Sequence, residues 1–308
     1  MIPGQEKIKI ALVGSSGYVG SVLLQQLINQ RVELGVLYNR RMPEKADGCH
    51  LLCCDLMDKS KTIEILRGYD VVVHLAWQDV DSNKKSDPKQ ISNNLEITKN
   101  ILAACEHNKI KRFVSLSYLG VARECESVRL SEKYLVEKEI LNSQVEEKII
   151  IRSPIIFGGE RHSDRLMSVL EKMMRIPLVY PLPRHKRLLN LVHIHDITRI
   201  IIKHLTGQVA YKNMIVPIKG NLYCLGEILK RYMFYTKQTN KIGVGGLLSP
   251  PLQYVCEKYR KKQDSSMGLE DIFAISSMQT DADNKLWWLE ASDSLAIKGY
   301  RDFLKQKI

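Results

Sequence analysis

Long apolar runs are missing from this 308-residue chain; the longest reach about five residues, around segments such as Ala11–Val13, Val71–Val73 and Ile200–Ile202. A membrane span needs roughly 20 apolar residues, so no stable membrane insertion is expected. Cysteine is sparse and poorly spaced. The seven are an odd number, none forms a CxxC pair, and Cys53 and Cys54 are adjacent on a strand-like stretch. That pattern argues against a disulfide framework or a zinc cage and for a reducing compartment. No aromatic-basic RNA motif and no helix-turn-helix pattern occurs. Met1–Lys7 runs directly into a strand-like segment and leaves no room for a signal peptide, so the expected location is cytoplasmic.

What is present is the composition of a folded chain, 44% hydrophobic and 26% charged, which excludes a disordered protein. Lys and Arg number 46 against 34 Asp and Glu, a net charge of +12. The excess favours anionic partners. Basic residues are spread along the chain, with local runs at Arg184–Arg187 and Lys258–Lys262. A phosphate-bearing small molecule is therefore expected, and no nucleic acid.

The first half alternates short apolar runs with helical patterns. Strands are read at Lys7–Val13, Val32–Tyr38, Cys49–Cys54, Asp70–Leu75, Arg112–Ser117 and Lys148–Arg152. Helices are read at Gly17–Asn29, Ile63–Leu66, Ile91–His107 and Val128–Val145. Near-continuous apolar strands separated by helices imply βαβ units and a buried parallel sheet. After Gly158 the rhythm changes: a helix at Leu166–Met174, then Pro177, Pro181 and Pro183, a strand at Leu191–Ile194 and a helix at Ile197–Leu205. From about Tyr211 the pattern is irregular. The expected division is a nucleotide-binding domain over residues 1–158, with 189–218 returning to it. A smaller lobe takes 159–188 and 219–308.

Gly14-Ser-Ser-Gly17-Tyr-Val-Gly20 lies where the first strand meets the first helix. Gly14 permits a tight turn, Gly17 lets the main chain approach a pyrophosphate, and Gly20 lets the helix lie close to the sheet. The exposed amides and positive helix end then hold the phosphates. At the end of the second strand, where a carboxylate would bind ribose hydroxyls, the chain reads Tyr38-Asn39-Arg40-Arg41, with no acid before Glu44. Guanidiniums pair bidentately with phosphate, so NADP is expected over NAD, with NAD still possible.

With these residues in view, the chain resembles the short-chain dehydrogenase/reductase superfamily in its extended and atypical branches. The GxxGxxG spacing carries the likeness, as do Cys54-Asp55-Leu56, His74-Leu75-Ala76, Asp87-Pro88 with Asn94-Leu-Glu-Ile-Thr98, Ser117-Tyr118, Arg152-Ser-Pro154-Ile155 and Val192-His-Ile-His-Asp196. It spans residues 8 to 205 and returns in the last 25 residues. The resemblance implies a doubly wound parallel-sheet α/β fold of Rossmann type with a smaller C-terminal substrate lobe. It also implies an NAD(P)-dependent oxidoreductase or epimerase. Ser16, Tyr18 and Val19 would join the three glycines around the cofactor, with Asn39, Arg40 and Arg41 at the adenosine phosphate. Asp55 and Leu56 would flank the adenine. Leu75 and Ala76 would border the nicotinamide side, and Trp77, Asn94, Pro154 and Ile155 would also contact the cofactor. His193 and His195 share a strand face, yet their place in the pattern makes them structural or substrate-proximal, and no metal is expected.

Carbonyl reduction in such enzymes uses a tyrosine and a lysine one helical turn apart, with a serine that orients the carbonyl. Two registers fit. Tyr134 and Lys138 have the i, i+4 spacing. Alignment from Ser117 to Arg152 without a gap instead puts Lys133 in the lysine position, Glu137 one turn on, and Arg129 where tyrosine belongs. A guanidinium does not release its proton, so Arg129 could not replace the phenol. Residues 129 and 134 lie roughly 140° apart around a helix, so only one register can face the cofactor. Tyr134 also shares a stripe with Leu130, Leu141 and Val145, as a core residue would. If Lys133 faces the cofactor, Tyr118 becomes the candidate proton donor, or the protein is a non-catalytic sensor or assembly subunit. Arg161, Arg165 and Arg187, with Tyr118, border the expected substrate, an anionic small molecule such as a nucleotide-activated sugar. A homodimer is possible.

Overall fold

Strands that are apolar on both sides must be covered on both faces, and the described part of the molecule meets that demand. The structure, a computed structural model, describes residues 7–78, 88–121, 128–159, 179–182, 188–206, 213–235, 242–245 and 289–290. The main sheet is built from β1 (Ile8–Val13), β2 (Val32–Tyr38), β3 (His50–Cys53), β4 (Val71–His74), β5 (Arg112–Tyr118), β6 (Glu147–Ser153) and β10 (Met214–Lys219). Its order is β3-β2-β1-β4-β5-β6-β10, with the two residues of β13 (Leu289–Glu290) beyond β10, and every pairing is parallel.

Successive strand residues feed opposite cores. Ile10, Leu12, Val36, Val71 and Val73 face a layer formed by α1 (Tyr18–Ile28) and α5 (Ile194–Leu205), which bury Leu23, Leu24, Leu27, Ile197 and Ile201. Ala11, Val13, Val72, Phe113 and Ile150 face α2 (Lys59–Ile65), α3 (Pro88–His107) and α4 (Val128–Asn142), which contribute Ile97, Ile101, Val136 and Ile140. Together these layers make the Rossmann-type α/β architecture. The sheet order reverses between β1 and β4, and at such a switch the connections leave in opposite directions and open a crevice at the carboxyl ends of the strands.

Several boundaries differ from the sequence reading, each for a local reason. Helix α2 begins at Lys59 because Asp58 accepts a hydrogen bond from the Lys61 amide at 3.0 Å, although that turn carries little apolar signal. Helix α3 begins at Pro88, a residue suited to the first turn. Helix α5 starts at Ile194 because the His193 ring accepts from the His195 amide at 3.3 Å. Past Tyr211, where irregular structure was expected, β10 joins the main sheet beside β6. It is followed by β11 (Asn221–Cys224) and a sixth helix, Leu225–Tyr235. A second sheet runs β7 (Ile155–Phe157), β9 (Leu188–His193), β11, and a third pairs β8 (Val179–Leu182) with β12 (Ile242–Gly245). The helix expected at Leu166–Met174 lies outside the described residues.

Arg112 ties the sheet to α5. Its Nε donates to the buried Glu147 carboxylate at 2.6 Å, and Nη1 donates to the His204 and Leu205 carbonyls at 2.9 Å each, closing the helix C-terminus. Glu147 is 2% exposed, so removing its partner strands a charge inside the protein. Arg112→Met should lower unfolding stability by on the order of 3–5 kcal/mol in urea titrations; a loss below about 1 kcal/mol would show the pair to be dispensable.

Candidate functional site

The crevice between β1 and β4 is a groove of about 410 Å³. Its floor begins at the turn after β1. Gly14 has φ +92°, and a Cβ there would stand 2.4 Å from the Ala76 nitrogen. A Cβ on Gly20 would stand 2.0 Å from the Gly14 carbonyl oxygen. Neither position admits a side chain, and that closeness brings the first turn of α1 against the end of β4. Gly17 is the N-cap of α1 without a side-chain cap, and the first turn carries no acid. The amides and positive end of the helix are thus presented to the groove. Tyr18 Oη donates to the Gly158 carbonyl at 2.7 Å and ties α1 to the end of β7.

The other expected residues gather along the same groove. Ser16, Tyr18, Val19, Asn39, Arg40, Arg41, Asp55, Leu56, Leu75, Ala76, Trp77, Asn94, Ser117, Tyr118 and Ile155 all line it with the three glycines. Pro154 does not, although its neighbours Ile155 and Ile156 do. Arg40 and Arg41 are exposed at the rim, and neither forms an ion pair among the described residues. Arg161, Arg165 and Arg187 lie outside the described residues, as does the basic run at 258–262.

The structure separates the two helix registers. Lys133 lines the groove and is 8% exposed. Its Nζ donates to the Leu116 carbonyl at 3.2 Å and lies 3.5 Å from the centre of the Trp77 ring, with the Tyr118 ring at 5.8 Å. Tyr134 is half-buried and Lys138 exposed, and neither lines the groove. The pairing of Tyr134 with Lys138 is therefore corrected: those two residues point away from the crevice. Of the stripe expected with Tyr134, Leu130 and Val145 are buried and Leu141 is exposed, and Val136 and Ile140 complete the buried face. Arg129 occupies the turn before Lys133 and is buried. Glu137, one turn on, holds Arg152 in a bidentate ion pair, with Nε to Oε1 at 3.0 Å.

Sequence reading missed Glu132, Gln78 and the His74 environment. The Asn94 amide clamps the main chain of Gln78, accepting from its N–H and donating to its carbonyl at 2.9 Å each, and it donates to Glu132 Oε1 at 3.0 Å. Thr98 gives its hydroxyl proton to the Asn94 carbonyl at 2.8 Å, so it accepts from His74 Nε2 at 3.2 Å. That places the ring proton on Nε2. Ser117 Oγ, His74 Nδ1 and Glu132 Oε2 are buried without a hydrogen-bond partner among the described residues. The available signal was four charged residues, Arg129, Glu132, Lys133 and Glu137, on the inward face of one helix.

The donor set fits a dinucleotide: unfilled space over glycines, an uncapped helix start, exposed cations at one end and a buried lysine at the other. Residues 10–138 match the model of the NAD dependent epimerase/dehydratase family. No curated protein matches the sequence. Among solved structures, a nucleoside-diphosphate-sugar epimerase from Staphylococcus aureus has a TM-score of 0.67 at 15% identity, covering 91% of this chain and 93% of that one. WbmG of Bordetella bronchiseptica, in complex with NAD, gives 0.62 at 14% identity, over 92% and 97%. A dTDP-glucose 4,6-dehydratase from Bacillus anthracis, in complex with NAD, gives 0.62 at 13%, over 91% and 98%. At these identities the likeness is one of fold. Among the described residues no helix is long and apolar enough to cross a membrane, and no cluster of His, Cys, Asp or Glu could hold a metal ion.

Two buried groups behind the groove titrate in opposite senses. Burial, with the Lys133 charge as the lesser cause, pushes His74 from 6.5 down to about 3. Burial raises Glu132 from 4.5 to about 7, against the Asn94 hydrogen bond and the Lys133 and Arg129 charges. The unfolded chain protonates His74 below 6.5 and the fold does not, so this histidine makes stability fall as pH falls toward about 3. Glu132 does the reverse, because the fold retains a proton that the unfolded chain releases above 4.5, so stability falls as pH rises toward about 7. The two slopes, each about 1.4 kcal/mol per pH unit, cancel where the windows overlap. Urea stabilities at about pH 5 and pH 6 should therefore diverge from wild type in opposite directions for His74→Gln and Glu132→Gln. Equal slopes in the two variants would show that the cancellation is absent.

Proposed function

We propose that the protein is an NAD(P)-dependent oxidoreductase or epimerase that prefers NADP and acts on an anionic small molecule such as a nucleotide-activated sugar. The observation that carries this reading is the buried Lys133 ammonium, which lines the same groove as Ser117, Tyr118 and the glycine turn. Gly14, Gly17, Gly20 and the start of α1 would hold the pyrophosphate, and Arg40 the 2′-phosphate. Asp55 and Leu56 would flank the adenine, and Leu75 and Ala76 the nicotinamide side. The bound cofactor supplies hydride transfer. Lys133 provides a fixed cation and hydrogen-bond donor for hydroxyl oxygens. Ser117 would orient a carbonyl, and Tyr118, which follows it in the chain and whose ring lies 5.8 Å from the Lys133 Nζ, would carry the proton. The chain's net charge of +12 supports an anionic substrate.

A second reading, a dinucleotide-binding protein without turnover, is favoured by Arg129, which stands one turn before Lys133 and cannot exchange a proton. Titration with NADPH and NADH, followed by turnover assays on a panel of nucleotide keto-sugars, separates the two. An enzyme shows turnover that Tyr118→Phe and Lys133→Met each reduce by at least roughly a hundredfold. Tight binding with no turnover on any panel member establishes the binder instead.

The cofactor preference has a test of its own. Arg40→Ala should weaken NADPH about tenfold or more, the worth of a charge-assisted phosphate contact, and leave NADH within twofold. Equal losses for both cofactors would remove the basis for NADP.

A further inference from the structure

We infer that Trp77 is the positioning residue for Lys133, its indole face holding the ammonium at the inner end of the groove; this rests on the dinucleotide reading above. An ammonium this deeply buried requires compensation for the water it has lost. The Lys133 Nζ takes one part of it from the Leu116 carbonyl at 3.2 Å. Its distance of 3.5 Å from the centre of the Trp77 ring places the charge directly over the negative face of the π system. A cation is attracted to such a face within about 6 Å of its centroid, and tryptophan is the strongest of the aromatic hosts. The Tyr118 ring, at 5.8 Å, stands at the limit of that range.

The ring is itself held at both sides. Trp77 follows Ala76, whose main chain is packed against Gly14 so tightly that a Cβ on the glycine would lie 2.4 Å away. It precedes Gln78, whose N–H and carbonyl are both held by the Asn94 amide at 2.9 Å. Asn94 in turn donates to Glu132, the neighbour of Lys133 on α4, at 3.0 Å. Ring and ammonium are thereby joined through the side chains and, by way of Asn94 and Glu132, through their own backbones. A lysine carries close to the largest side-chain entropy of any residue, and a ligand that engages a pre-placed ammonium loses less of it. Trp77 also makes the groove optically legible, because a ligand that recruits Lys133 changes the charge over the indole.

The test measures NADP⁺ and NADPH affinity by calorimetry for the wild type, Trp77→Phe, Trp77→Leu, Lys133→Met and the Trp77→Leu/Lys133→Met pair, with tryptophan emission recorded in parallel. Trp77→Leu should weaken binding roughly three- to thirtyfold, while Trp77→Phe, which keeps a π face, stays within about threefold. The double variant should bind no more weakly than Lys133→Met alone, because the ring acts through the ammonium. Emission of the ligand-free protein should change in Lys133→Met, and the response to NADP⁺ should vanish in Trp77→Phe. Strictly additive losses, wild-type affinity in Trp77→Leu, or emission indifferent to Lys133→Met would each overturn the inference. If Trp77→Leu does not fold, the cycle is completed with Trp77→Phe and the ligand-free emission of Lys133→Met decides. A wild type that binds neither NADP⁺ nor NADPH overturns the dinucleotide reading, and that same ligand-free emission still decides the contact between Trp77 and Lys133.

Discussion

Three stretches of main chain meet around Gly14 with no room for a side chain between them. The turn after β1, the first turn of α1 and the segment after β4 approach so closely that a methyl group on Gly14 or Gly20 would overlap backbone atoms. This contact decides where the helix start points and how far the end of β4 reaches. The amides of α1 and the Ala76–Gln78 segment take their places from it. The reversal of strand order between β1 and β4 supplies the space into which they face.

The opposite wall depends on a helix that buries charge. On α4, Arg129, Glu132, Lys133 and Glu137 are all shielded from solvent, an arrangement that hydrophobic burial alone would never select. The described partners of the last three are specific: the Asn94 amide for Glu132, the Leu116 carbonyl and Trp77 face for Lys133, and the Arg152 guanidinium for Glu137. Each partner comes from a different element, so the polar cluster locks α4 against β5, β6 and α3 at one rotation. Polar groups satisfied in this way specify a unique arrangement more than they add stability.

Much of the nucleotide half is legible in the amino-acid sequence. Alternating apolar segments and helical patterns announced the parallel sheet, and the glycine spacing placed the phosphate end of the groove. The arginines after β2 were found because an expected acid was missing. The boundaries that sequence reading misjudged were held by polar caps, Asp58 for α2 and His193 for α5, whose effect precedes the apolar periodicity that marks a helix. The strand β10 was missed because it is completed by pairing with β6, a partner far away in the chain.

Spacing along one helix could not decide which lysine faces the groove, because Lys133 and Lys138 both sit in plausible registers and differ by five residues. A helix presents every side chain to some direction, and only the bodies packed around it determine which direction is inside. Composition, strand alternation and the Gly14–Gly20 turn were set by the sequence itself, since they follow from local sterics and the periodicity of apolar residues. The rotation of α4, the seat of Lys133 on Trp77 and the Asn94–Glu132 link were decided by tertiary structure, since each joins residues whose contact exists only once the sheet has brought their elements together.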